Sequence, residues 1–153
     1  MTIDQLRQLC EEAARDLVTR GEGPVPAAVV LPGTSQTRVT VLEDFPDSDD
    51  DRHLVLSHFA ADHMVPDDAP CFGFVAAAEL AADGDTVDVV VVAFGARQRG
   101  TWVTAATLDD ATLGPFSAAE QLDAAALPFL RPLQHAADMA TAAADGDDVL
   151  GLS

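Results

Sequence analysis

Apolar residues recur at helical spacing over residues 3–20. Ile3, Leu6, Leu9, Cys10, Ala13, Leu17 and Val18 fall on one side, and Asp4, Arg7, Glu11, Glu12 and Arg15 on the other. Thr2, with Gln5 three residues on, has the capping-box pattern that opens a helix, and Gly21-Glu22-Gly23-Pro24 closes it. The period then shortens to two. Ala27 to Leu31 is a short apolar run and Arg38 to Leu42 alternates, with Pro32-Gly33-Thr34-Ser35 between them, which predicts a β-hairpin. An acidic loop, Glu43 to Asp51, leads into a second helix predicted over 51–64. Asp50 or Asp51 would be its cap, and Val55, Leu56, Phe59, Ala60 and Met64 its apolar face.

The middle of the chain reads as sheet. Phe72 to Leu80 places Phe72, Phe74, Ala76 and Ala78 on one face, and Asp83-Gly84-Asp85 turns the chain. Val89-Val90-Val91-Val92 has no polar face, which predicts a central strand covered on both sides. Thr101 to Leu108 completes an antiparallel meander. Ser117 and Glu120 repeat the capping-box pattern and predict a short helix to about Ala126; a final helix starts at Pro132 and runs to Ala140. The tail over 142–153 is rich in Ala, Asp and Gly, and is expected to fray. The expected fold is therefore one α+β domain over 1–141. Its order is α-β-β-α-β-β-β-α-α, with helices packed on a five-stranded, mainly antiparallel sheet.

Composition narrows the function classes. Twenty-six acidic residues face eight basic ones, all arginine, for a formal net charge of −18. Such a surface repels phosphate backbones and anionic lipid, so neither nucleic acid nor membrane is an expected partner. No run approaches the roughly 18 apolar residues of a membrane span, and Met1 leads straight into an amphipathic pattern, so a cytoplasmic location is expected. Cys10 and Cys71 have no metal-type spacing and read as small core hydrophobes.

Candidate chemistry is sparse. His58 and Asp62, four apart on the second helix, could pair or share a metal. His53, His58 and His63 are spaced by five, which turns each away from the last, so the more economical reading is one His–Asp hydrogen bond on an exposed helix. Asp47, Asp49 and Asp51 imitate the start of a calcium loop, but Arg52 replaces the turn glycine and His58 the bidentate glutamate. Trp102 either packs under a helix or lines a pocket with Phe94 or Phe72. Glu79 ends an apolar strand. Facing inward it would need Arg97 or Arg99, but the alternation places it opposite Phe72 and Phe74, on the outer face. No phosphate-binding glycine pattern or nucleophile elbow occurs, and no cofactor is expected.

Phe72-Gly73-Phe74-Val75-Ala76-Ala77-Ala78-Glu79, the valine-rich strand and the Trp102 strand together resemble a family of small uncharacterised bacterial α+β proteins. The first seven elements also resemble the Roadblock/longin arrangement, which implies a dimeric scaffold of the kind that often serves small GTPases or trafficking. The leading expectation is a non-enzymatic interaction module acting as a homodimer through a helix face or a sheet edge. Two other readings stand beside it. One is a ligand-binding protein or enzyme using His58 and Asp62 with Glu79 or Trp102, and the other an acidic mimic of nucleic acid.

Overall fold

The computed structural model describes residues 2–20, 25–33, 36–109, 112–122 and 127–140; the helix stop at 21–24, the turn residues 34–35 and the tail over 142–153 lie outside them. The first helix, α1 (Ile3–Arg20), begins with the expected reciprocal cap. Thr2 N donates to Gln5 Oε1 at 2.8 Å, and Gln5 N donates to Thr2 Oγ1 at 3.1 Å. Leu6, Cys10, Ala14 and Val18, four apart, are buried beneath it.

Strands β1 (Ala28–Pro32) and β2 (Thr37–Val41) form the hairpin. Helix α2 (Asp49–Phe59) follows and continues through a π turn, Ala60–Met64. Its cap is Ser48, whose hydroxyl accepts from Asp51 N at 3.2 Å, and not Asp50 or Asp51. The aspartates instead occupy the first turn, where their charge meets the positive end of the helix.

Strands β3 (Cys71–Ala82) and β4 (Asp85–Ala96) make a long hairpin, and β5 (Gly100–Asp109) completes the meander. The order departs from expectation after this point. Ser117 caps no helix. Residues 112–122 run along the outer edge of β5 and form two short strands, β6 (Thr112–Leu113) and β7 (Glu120–Gln121). Ser117 N donates to Ala105 O at 2.8 Å, Ala105 N donates to the Ser117 hydroxyl at 3.2 Å, and the Thr104 hydroxyl donates to Ser117 O at 2.6 Å. The groups that a capping box would have used are consumed by the strand edge; the rest of that predicted helix, 123–126, lies outside the described residues. A 3-10 turn (Pro128–Leu130) then leads into α3 (Arg131–Asp138).

The sheet thus has seven strands and not five, in the order β2-β1-β3-β4-β5-β6 with β7 also on β5. Every pairing is antiparallel. Two cores lie on opposite faces. On one, α1 covers Val30, Cys71, Val75, Val90, Val92, Phe94 and Ala96. On the other, α2, the π turn and α3 cover Val29, Phe72, Phe74 and Ala93. The valine run lies in the centre of the sheet; Val90 and Val92 are buried under α1, and on the other face Val89 is buried and Val91 half-buried.

Candidate functional site

The helix that carries three of the four histidines does not assemble a site from them. Val65 N donates to Ala60 O at 2.9 Å, the i→i+5 bond of a π turn, so the α-helical register stops at Phe59. His58 and Asp62 lie on either side of that change. Both are exposed, and no hydrogen bond or ion pair joins them. His63 lies against the Phe59 ring with centroids 4.7 Å apart, and His53 Nδ1 is 3.4 Å from the Ser57 hydroxyl. Arg52, where a calcium loop would turn on glycine, is half-buried. Its guanidinium lies over the rings of Phe45 and Phe129, 5.4 and 5.3 Å from their centroids, and its Nε donates to Pro46 O at 2.6 Å. The acidic loop is thereby tied to the core. Among the described residues no group of three or more His, Cys, Asp or Glu is placed to hold a metal ion.

Glu79 and Trp102 belong to the other face of the sheet. Odd residues of β3 share the face of Cys71 and Val75, under α1. Glu79 is among them, yet it is exposed, because it lies far along the hairpin and away from the buried residues beneath α1. Glu79 therefore lies opposite Phe72 and Phe74 and is exposed, as expected, although its face is covered by α1 nearer the body. No Arg partner reaches it, and across the ladder it stands opposite Asp88. Trp102 is half-buried against the α1 core, opposite Phe94, and its Nε1 donates to Arg99 O at 3.3 Å. His58 and Asp62 therefore lie on one side of the sheet, and Glu79 and Trp102 on the other.

Two cavities among the described residues involve none of these four side chains. One, of about 170 Å³, is lined by Gly100, Thr101, Leu122, Leu127, Leu130, Arg131 and Gln134. That is below the roughly 300 Å³ at which small-molecule sites begin. The other, about 670 Å³, is an open depression beside Val41, Leu42 and Phe45. Next to the smaller cavity is the best-organised polar cluster, one that sequence reading missed. Thr101 Oγ1 donates to Gln134 Oε1 at 2.9 Å, Gln134 Nε2 donates to Ala96 O and Asp138 Oδ1, and Gln98 N donates to Asp138 Oδ1 at 2.7 Å. It clamps α3 to the β4–β5 turn. Gln134 and Asp138 are four apart and so share a helix side, but nothing local shows that this side meets a turn.

Both thiols are buried and free. Burial pushes the Cys10 thiol far up from its ordinary value, with the neighbouring Cys71 adding to the effect, and pushes Cys71 up to about 11. A thiol held protonated in this way is a poor nucleophile.

What the molecule presents instead is strand edge. The β5 edge is covered by 112–122, but β2 has no neighbour beyond β1 among the described residues. Leu42 N donates to Ala27 O at 2.8 Å. By the alternation of an antiparallel ladder, Thr40 and Arg38 also direct their backbone groups at β1, and Thr37, Val39 and Val41 direct theirs outward. Val39 and Val41 are 40% and 44% exposed, on the face that α1 leaves uncovered here. A second edge without a partner strand among the described residues is in the β3–β4 hairpin. β1 pairs with β3 only as far as Val75, and β5 pairs with β4 only from Val89 onward. Residues 77–88 form a two-stranded arm.

No helix among the described residues is long and apolar enough to cross a membrane. The chain matches no family model, and no curated protein and no solved structure matches it.

Proposed function

We propose that this chain is a non-enzymatic protein–protein interaction module that acts as a homodimer, with β2 as the pairing edge. The observation that carries the reading is the character of that edge in so acidic a chain. Thr37-Arg38-Val39-Thr40-Val41 holds no carboxylate, although the net charge is −18. An antiparallel two-fold pairing about Val39 sets Val39 against itself, Arg38 against Thr40 and Thr37 against Val41. No like charges meet, and the outward backbone groups of Thr37, Val39 and Val41 find partners. Such an isologous contact closes on itself, which ends the exposure of a free strand. The only charged side chain on the strand, Arg38, is already turned to the other face, in an ion pair with Asp67.

Sedimentation velocity over a concentration series tests this. A dimer is expected at micromolar concentration, and Val39→Pro, which removes an outward N–H without touching the β1 ladder, is expected to shift it to monomer. A wild-type chain that remains monomeric at every concentration would overturn the reading, as would a Val39→Pro variant that dimerises unchanged.

A further inference from the structure

We propose that the open edge of β3, in the arm over residues 77–88, receives an extended segment of a protein partner in which apolar and basic residues alternate. The inference rests on the arm alone and is independent of the β2 dimer.

Backbone geometry supplies the first part. Ala27 bonds β2, so Ala28 and Val30 bond β3, and their partners there are Val75 and Gly73. Odd residues of β3 therefore direct N–H and C=O away from β4. Past Val75, those of Ala77, Glu79 and Ala81 meet no strand among the described residues. This is a short ready-made template for strand addition.

Side chains supply the second part. Even residues of β3 share the face of Phe72 and Phe74; on the arm these are Ala78 and Leu80, with Val87 opposite Leu80. Leu80 is 53% exposed. The other face bears Glu79 opposite Asp88, with Asp83 and Asp85 at the tip, and no cation lies anywhere in Cys71–Ala82 or Asp85–Ala96. Directly opposed carboxylates repel, and among the described residues neither Glu79 nor Asp88 has an ion-pair partner. A strand laid along β3 alternates its side chains between these two surfaces. Apolar side chains would extend the Ala78–Leu80 strip, and arginine or lysine at the alternate positions would neutralise Glu79 and Asp88. A second copy of this chain fits poorly: arm against arm adds carboxylate to carboxylate.

The probe is a short fluorescent peptide of alternating valine and arginine, with a valine–glutamate peptide as its counterpart, read by anisotropy. The Val39→Pro protein is titrated in parallel with wild type, so that loss of the dimer and loss of the arm site are told apart. The valine–arginine peptide is expected to bind both proteins and to protect the amides of 77–81 from exchange. Ala77→Pro keeps the net charge but removes one edge N–H, and is expected to weaken binding by about tenfold or more. Ala81→Pro serves if circular dichroism shows Ala77→Pro unfolded. Glu79→Gln is expected to weaken binding and flatten its salt dependence. Equal binding by the proline variant means attraction to bulk charge and overturns the proposal. Equal binding of the valine–glutamate peptide overturns it too, as does concentration-dependent protection of 77–81 in the free protein, which would identify a second copy as the occupant.

Discussion

At the scale of single residues, Gly73 lets Cys10 of α1 come close to β3. A Cβ on Gly73 would collide with Cys10 Sγ, so only glycine lets the helix approach β3 here. The two thiols also make a clean titration. The chain has no lysine and no tyrosine, so nothing else among its side chains is expected to ionise between the ordinary thiol value of 9.0 and about 11. Burial raises the folded pKa and disfavours the thiolate. The stabilisation is therefore complete below the unfolded value and is lost as pH rises toward the folded one, because the unfolded chain releases protons that the fold retains. Stability should fall by up to about 1.4 kcal/mol per pH unit for each thiol. Urea melts from pH 8 to 11 check this, and Cys10→Ala with Cys71→Ala should flatten the profile. The cysteines were legible as core residues from their apolar surroundings, and Trp102 packs half-buried against the core under α1. Glu79 was legible as exposed, although alternation reports which face a side chain is on, not how far along the strand cover extends.

At the scale of elements, the β3–β4 hairpin is held in register by its turn. Asp83 and Gly84 have φ of 49° and 85°, the left-handed pair of a type I′ connection. Asp tolerates that region and other L-residues do so less readily. A Cβ on Gly84 would meet nothing within 4 Å. Gly84→Ala is thus a pure backbone test, and should cost about 1 kcal/mol, lowering the urea midpoint with its slope unchanged. The contrast with Ser117-Ala118-Ala119-Glu120 is instructive. That segment has the local signature of a helix start but runs along the edge of β5, reaching strand only at Glu120, because β5 offers a row of backbone partners that a short helix would forgo. The same pattern at Thr2 and Gln5 does start a helix, where eighteen residues of amphipathic sequence follow it.

At the scale of the whole molecule, charge outweighs every other surface property. Acids are spread over α1, the loop before α2, the first turn of α2 and the arm, and the ion pairs among the described residues on α1 are exposed or half-exposed. Self-repulsion of this kind opposes the compact state. Raising sodium chloride from about 10 mM to about 150 mM shortens the screening length from about 30 Å to about 8 Å. The melting temperature should rise across that range, and a Tm that is flat or falls would show that the carboxylates are locally compensated. Amphipathic period, capping pairs, turn residues and the unbroken valine run are local properties, and they were enough to specify α1, the two hairpins, the central strand and the α+β class. What lies beside what is a non-local matter. The covering of the β5 edge by 112–122, the reach of the helices over each face, the separation of His58 from Glu79 and the two strand edges without a partner among the described residues were decided only when the chain closed on itself. Their energies come from partners tens of residues apart, and no window of sequence contains them.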